Sequence, residues 1–471
     1  MDRMNGLNQQ LAENLVESIM KDYDACGIAA AVIDGAGVTR YEKFWGVRDQ
    51  ESGLEVNGET IFGLASVTKS FTALAIMQME EKGLLELDDA VSKYIPEFTN
   101  KNQKKVTIRH LMSHCGGFFP LPRILVGNVA ESLGLKESEV GDFAYNDAIA
   151  QEGVRLVAGR LDEQTMEQGL NGEPGQYLSY CNDGFGLLSD IIRRYGGEAS
   201  YADYLLNHIL KPLGMERSFC DFVRPAEDSN AATLYKKVDG VMKGSRDYHD
   251  NAFVLNGGGA MKSTLNDLKK YLSMYLNQGR GLNGTRILSQ YGIGEMCKPR
   301  QPYGAFGYYG YGLSTKQLDD LKVVEHGGSL PGVSSNIAFS YEADAAVIVL
   351  CNTSGVPVSL ISNALLRAYN GKNPVEKRDL WQEASWDEKT IKEVTGTYVS
   401  GEGTKAEIYK REDGAVVVKE EDKEKVLIPV SSKSAIIRGK YSDLFVRLIE
   451  SEEKGIYAVA YGSRLIPKVK P

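Results

Sequence analysis

Phe62-Gly-Leu-Ala-Ser-Val-Thr-Lys-Ser-Phe-Thr-Ala-Leu-Ala-Ile76 decides the reading of this chain, because it sets the Ser66 hydroxyl and the Lys69 amine three residues apart at the start of an apolar run. The run extends to about Lys82 and stops at Gly83, which predicts a long helix. Residues i and i+3 share a helix face, so Lys69 can reach Ser66. Unpaired N–H groups at the helix N-terminus favour negative charge on an attacking oxygen or on the oxyanion it creates. A desolvated lysine has a lowered pKa and can act as a base. The spacing alone is common: Ser18-Ile-Met-Lys21 repeats it on an ordinary amphipathic helix.

Two later segments give the pair its weight. In Glu173-Pro-Gly-Gln-Tyr-Leu-Ser-Tyr-Cys-Asn-Asp-Gly-Phe-Gly-Leu-Leu188, Tyr180 and Asn182 stand two apart just ahead of an apolar helix. In extended chain such a pair points to one side, and Cys181 points away. A phenol beside a lysine can shuttle a proton, and an Asn amide can hold a carbonyl. A capping Asn with a half-buried Tyr is the bland alternative. The second segment is Val323-Val-Glu-His-Gly-Gly-Ser-Leu-Pro-Gly332, which leads into two strands around a turn at Tyr341 to Asp344. Gly327 and Gly328 leave the backbone bare for a substrate to lie against, unless they merely form a turn.

In this order, Ser-x-x-Lys, Tyr-x-Asn and His-Gly-Gly resemble the three motifs of the serine beta-lactamase and penicillin-binding-protein superfamily, closest to its class C-like branch of esterases and peptidases. Val106-Thr-Ile-Arg-His-Leu-Met-Ser-His-Cys-Gly-Gly117, Tyr201 to Met215 and Gly257 to Asp267 resemble the elements that branch places around the motifs, so the likeness spans roughly residues 10 to 365. The resemblance implies an α/β (α+β) fold, with an antiparallel sheet flanked by helices and a helical lobe at roughly 85–250. It implies Ser66 as nucleophile, Lys69 and Tyr180 as the proton-transfer pair and Asn182 as a substrate ligand. His326, Gly327 and Gly328 would line the substrate, and the N–H groups of Ser66 and Ser329 would form the oxyanion hole.

One departure bears on substrate. Where many members of that superfamily carry Lys-Thr-Gly or Lys-Ser-Gly, this chain has His326-Gly-Gly328. The hydroxyl is gone, and an unperturbed histidine titrates near about 6.5, so the charge there is expected to depend on pH. An obligatory substrate carboxylate at that end is disfavoured, and efficient beta-lactamase action with it. The expectation is a peptidase or amidase on small peptides, D-residues among them. A carboxylesterase or weak beta-lactamase of the same machinery is the alternative, and a non-catalytic ligand-binding or assembly protein the alternative of another class.

No cofactor or metal is implied. His110 and His114 lack the Glu of a His-Glu-x-x-His pattern and read as packing or capping residues, and Gly257-Gly-Gly259 lacks the Lys of a phosphate loop. Tyr303, Phe306, Tyr308, Tyr309 and Tyr311 suit either a substrate cleft or core packing. A formal net charge of -9 without a basic run disfavours nucleic acid and anionic membranes. No apolar stretch approaches a membrane span and no signal-like start is present, which with six scattered cysteines lacking a Cys-x-x-Cys pair reads as a soluble, cytoplasmic protein.

Along the chain, Leu7, Leu11, Leu15 and Ile19 mark a first helix, and residues 27 to 46 a hairpin turning at Asp34-Gly-Ala-Gly37. Helical stretches are expected at Asn128 to Leu133 and Asp147 to Ala158. The hydrolase unit is read as 1–371 and a charged linker as 372–386. In 387–471, alternating strands at Gly396–Val399, Ala406–Tyr409, Ala415–Val418, Lys425–Ile428, Ala435–Ile437, Leu444–Ile449 and Ile456–Val459 predict an antiparallel β-barrel. It resembles the lipocalin-like barrel of some relatives, where such a unit restricts access or mediates assembly. Whether it here covers the site, builds a homo-oligomer or only stabilises stays open.

Overall fold

The continuous apolar stretch Gly27–Asp34 forms β1, an interior strand of the main sheet. Its side chains divide between two cores, Ala29, Ala31 and Ile33 on one face and Ile28, Ala30 and Val32 on the other. A strand covered on both faces is apolar at every position, which removes the usual alternation. The structure, a computed structural model, describes residues 6–99, 105–167, 169–248, 256–375 and 381–469.

Beside β1 run β2 (Thr39–Asp49) and β3 (Leu54–Glu55). The remaining strands come late in sequence: β4 (Gln301–Tyr303), β5 (Gly307–Tyr309), β6 (Ser314–Leu318), β7 (Leu321–Leu330), β8 (Val333–Ser340) and β9 (Ala345–Cys351). The nine-stranded order is β3-β2-β1-β9-β8-β7-β6-β5-β4. Antiparallel pairing sets Ala30 opposite Val349 and so joins the two ends of this region. The hairpin expected at 27 to 46 and the strand pair around Tyr341 to Asp344 both form.

Helix α1 (Gly6–Tyr23) opens the fold and α2 (Thr68–Glu81) follows Ser66. Then come α3 (Ile108–Met112), α4 (Val126–Ser132), α5 (Asp147–Glu167), α6 (Asn182–Tyr195), α7 (Leu265–Leu276) and α8 (Val358–Tyr369). α1 and α8 cover one face of the sheet. α7 covers the other and meets α2 where Tyr271 stacks on Phe71 at 3.9 Å between ring centres. Among the described residues no helix is long and apolar enough to cross a membrane.

The C-terminal strands make two antiparallel sheets in a barrel-like arrangement. One holds β10 (Gly396–Val399), β11 (Lys405–Lys410), β12 (Val416–Glu420) and β13 (Lys423–Val426) in chain order. The other holds β14 (Ile428–Ser431), β15 (Ser434–Ile437), β16 (Leu444–Ser451), β17 (Gly455–Tyr461) and β18 (Arg464–Pro467). They meet at a bridge between Tyr398 and Lys468. The single strand expected at Lys425–Ile428 is instead divided at Leu427, whose side chain is buried while its N–H bonds back to Val416. Part of the linker, residues 376–380, lies outside the described residues.

Candidate active site

From Thr60 to Met79 every residue is buried except Ser66, which is half-buried. The backbone turns into α2 through a short 3-10 turn, Ala65–Val67, with Ala65 in the left-handed region at φ 47°. A non-glycine residue there is strained and needs its surroundings to hold it. Leu64 supplies that hold: its N–H bonds to the Met261 carbonyl at 2.9 Å, and its own carbonyl accepts Ser335 Oγ at 2.7 Å. Thr68 Oγ1 adds a bond to the Ala65 carbonyl at 2.7 Å and accepts the Met261 N–H. The turn presents the Ser66 hydroxyl to a cleft.

Lys69 is fully buried beneath it. Its Nζ lies 3.1 Å from Ser66 Oγ, 2.8 Å from Asn182 Oδ1 and 2.7 Å from the Gly258 carbonyl. Burial pushes the Lys69 pKa well below that of a free lysine, and the Arg464 cation pushes it further the same way. A neutral amine donates twice, so Asn182 and Gly258 can take its two hydrogens and leave the lone pair facing Ser66. Gly258 belongs to the Asn256–Gly258 turn, and a side chain at Gly257 would sit 2.3 Å from the Phe185 carbonyl. The glycine triplet thus lets this turn close on α6.

Tyr180 lines the same cleft as Ser66, and burial raises its phenol pKa. The Lys69 Nζ lies 4.8 Å from its ring centre. His114 packs on that ring at 4.0 Å, and its Nδ1 accepts the Cys181 N–H at 3.1 Å. The packing and capping roles expected of the two histidines divide between them, since His110 Nδ1 accepts the Thr107 N–H at the start of α3. Cys181 is buried in the core, which pushes its thiol up to about 12. Asn182 opens α6.

β7 borders the cleft. A side chain at Gly328 would lie 2.1 Å from the Leu64 carbonyl and 3.1 Å from the Ala65 Cβ, so glycine allows the strand to press against the Ser66 turn. Gly327 and Ser329 are exposed on the strand's other side. His326 corrects the expectation of a pH-dependent charge. Its Nδ1 lies 2.7 Å from the Gly327 carbonyl and so must donate, while Nε2, 2.8 Å from the Tyr309 hydroxyl, accepts. Burial, helped by Lys69, pushes its pKa down to about 3.

These groups line a cleft of about 440 Å³ that contains Ser66, Tyr180, Asn182, His326, Gly327, Gly328 and Ser329. All the residues singled out for the site except buried Lys69 border it. Of the tyrosine-rich segment, Tyr303 and Tyr309 line the cleft, Phe306 stacks on Trp381, and Tyr311 is buried under Arg300. Sequence reasoning missed Arg123, Ser463 and Arg464, which also line it, and the carbonyl of Gly258. Ser463 and Arg464 come from the turn into β18 and carry no local signal.

The Beta-lactamase family model matches residues 12–371. Protein flp of Staphylococcus aureus strain MW2 is 25% identical over 361 residues, which cover 74% of this chain and 64% of that protein. The chain therefore spans under two thirds of the length of that relative. The octameric penicillin-binding protein homologue from Pyrococcus abyssi superposes with a TM-score of 0.66 at 26% identity, covering 97% of this chain and 99% of the other. SurE, solved with D-Leu, gives a TM-score of 0.69 at 20% identity over 99% and 100% of the two chains, a likeness of fold. With three quarters of its length matched by that model and both structures sharing its fold end to end, the chain belongs to the Beta-lactamase family.

Proposed function

We propose that this chain is a serine hydrolase acting through an acyl-enzyme on Ser66. One observation carries the reading: a fully buried lysine amine 3.1 Å from the one hydroxyl that reaches the cleft from an otherwise buried run. Neutral Lys69 takes the Ser66 proton as Oγ bonds to the substrate carbonyl carbon. The oxyanion is held by the N–H groups of Ser66 and Ser329. As the C–N or C–O bond breaks, Tyr180 gives its proton to the leaving atom and regains one from Lys69. Water then releases the acyl group by the reverse relay. Asn182 fixes Lys69 and offers its amide to a substrate oxygen. Gly327 leaves room for the substrate along β7.

Small peptides and amides are the favoured substrates, and the D-Leu held by SurE supports including D-residues among those tested. A carboxylesterase using the same groups is the second reading, favoured by neutral His326 in place of a third-motif cation. We assign residues 1–371 to the hydrolase unit, 372–386 to the connection and 387–471 to a lipocalin-like module. Six free, buried cysteines support a cytoplasmic setting. Assembly into a homo-oligomer is proposed by analogy with the octameric homologue. The test is intact-mass detection of a fluorophosphonate adduct on wild type and on Ser66→Ala, followed by paired L- and D-peptides and p-nitrophenyl esters. An adduct on wild type alone is expected. No adduct on the folded wild type would leave a ligand-binding or assembly protein.

A further inference from the structure

Alternation along β16 sends Leu444, Val446 and Leu448 into the core of the C-terminal sheets, and Phe445, Arg447 and Ile449 to the opposite face. That outer face docks on the rest of the fold, where Ile449, Ala458 and Leu465 pack against Phe119. Beside this cluster the docking is incomplete. A cavity of about 210 Å³ remains between the outer face and the segments around Tyr177 and Tyr303. Tyr303 and Ser463 also border the Ser66 cleft, but the other residues lining the cavity do not, so it is a separate space that shares those two residues as a wall.

The lining is largely aromatic and aliphatic, with one charge. Phe445 is held by a ladder of stacked rings, Trp381 at 5.7 Å from it and Phe306 at 5.0 Å from Trp381. Arg447 brings a half-buried guanidinium whose carbon lies 5.7 Å from the Phe445 ring centre. Among the described residues no hydrogen bond or ion pair holds that guanidinium. Burial disfavours its charge, and no carboxylate offsets the effect. A charge taken out of water is costly unless a partner meets it. Arg464 on β18 has Glu402 in that role.

These features define what would fill the cavity. The planar fork of an arginine matches a carboxylate. The rings of Phe445 and Tyr303 suit a flat apolar body beside it. The described lining residues include no Asp or Glu, so an ammonium group on the ligand would find no counter-charge there. We propose that this cavity is a binding site for an aromatic monocarboxylate without an amino group, its carboxylate on Arg447 and its ring against Phe445 and Tyr303. The site follows from the docked face alone and does not depend on the chemistry of Ser66.

Phenylacetate is the probe, titrated by calorimetry into the full chain, with phenylacetamide as its uncharged twin and L-phenylalanine as a form that carries an ammonium. Wild type is expected to bind phenylacetate with a Kd below about 1 mM, within the ligand efficiency of so small a molecule. The other two compounds should bind at least about 10-fold more weakly, and Arg447→Gln should weaken phenylacetate about 10- to 100-fold, the range of a hydrogen bond to a charged group. Ala460→Phe, which fills the cavity and keeps the arginine, should weaken it as much. Arg464→Gln should bind phenylacetate as wild type does. Binding that survives Arg447→Gln and Ala460→Phe but is lost in Arg464→Gln would lie in the Ser66 cleft and overturn the proposal, as would an absence of binding or equal binding of the amide. Should Arg447→Gln fail to fold by circular dichroism, Ala460→Phe and the amide comparison decide. A wild type that fluorophosphonate does not label removes the acyl-enzyme and leaves these titrations unchanged.

Discussion

The backbone N–H of Tyr180 bonds to the carbonyl of Ser463 at 2.9 Å, so the C-terminal sheets are fastened directly to the candidate proton-transfer residue. Leu465 anchors the same turn in a small cluster with Phe119, Ile449 and Ala458. Removing a buried leucine side chain costs about 2–5 kcal/mol. Leu465→Ala should therefore lower stability by that order in chemical denaturation and slow turnover as the turn loosens. A variant that loses stability yet keeps full turnover would show that the site tolerates a shifted turn.

Lys69 should set the acid side of the pH profile. Its folded pKa lies well below 10.5, so the neutral amine that can accept a proton persists at lower pH than for a free lysine. Turnover should fall as pH drops through that folded value. After burial, the Arg464 cation favours the neutral form of Lys69, so Arg464→Gln should favour protonation and move the acid limb to higher pH. Lys69→Ala should reduce kcat by about 10²- to 10⁴-fold, the contribution of a positioned acid–base group. Both effects are read from kcat/KM against pH.

His326 should contribute no limb near pH 6.5. With its pKa at about 3, it stays neutral and protonated on Nδ1 across the working range, which nitrogen NMR shifts between pH 5 and about pH 8 would record. The linkage runs through the unfolded chain, whose histidine takes a proton near 6.5 while the folded one does not until about 3. Stability is full above the unfolded value and falls as pH drops through that window, by at most about 1.4 kcal/mol per pH unit. His326→Gln should flatten that slope in urea titrations from pH 7 to about pH 4.

The motifs were legible because each is local: a serine and a lysine one helical turn apart, a tyrosine and an asparagine two apart, a bare pair of glycines. Several elements were too, since the hairpin at 27 to 46 and most C-terminal strands announce themselves by apolar runs and turns. Distant contacts were not. Nothing around Ser463-Arg464 distinguishes it from an ordinary surface turn, because its meaning comes from Tyr180 across the fold. His114 could be read as a packing residue but not as the one beneath Tyr180. The altered state of His326 was hidden for the same reason: burial and the Tyr309 hydroxyl are tertiary facts. Leu427 divides a run that looks continuous, because its side chain enters the core while its backbone returns to Val416.

The two glycines of the third motif should respond differently to one added methyl group. At Gly328 a Cβ would meet the Leu64 carbonyl at 2.1 Å and Ser335 Oγ at 2.3 Å, backbone and side chain that together hold the strained Ala65 turn. Neither can move without shifting Ser66. Gly328→Ala should cost about 1–3 kcal/mol of stability, as overpacking does, and should suppress fluorophosphonate labelling. At Gly327 the nearest atoms stand 3.7 Å away and the position faces the cleft, so Gly327→Ala should fold normally. Its methyl group would occupy space assigned to substrate and raise KM, more for a bulky peptide than for a small ester. Thermal melting with paired kinetics separates the two variants, and equal loss of stability in both would refute the distinct roles.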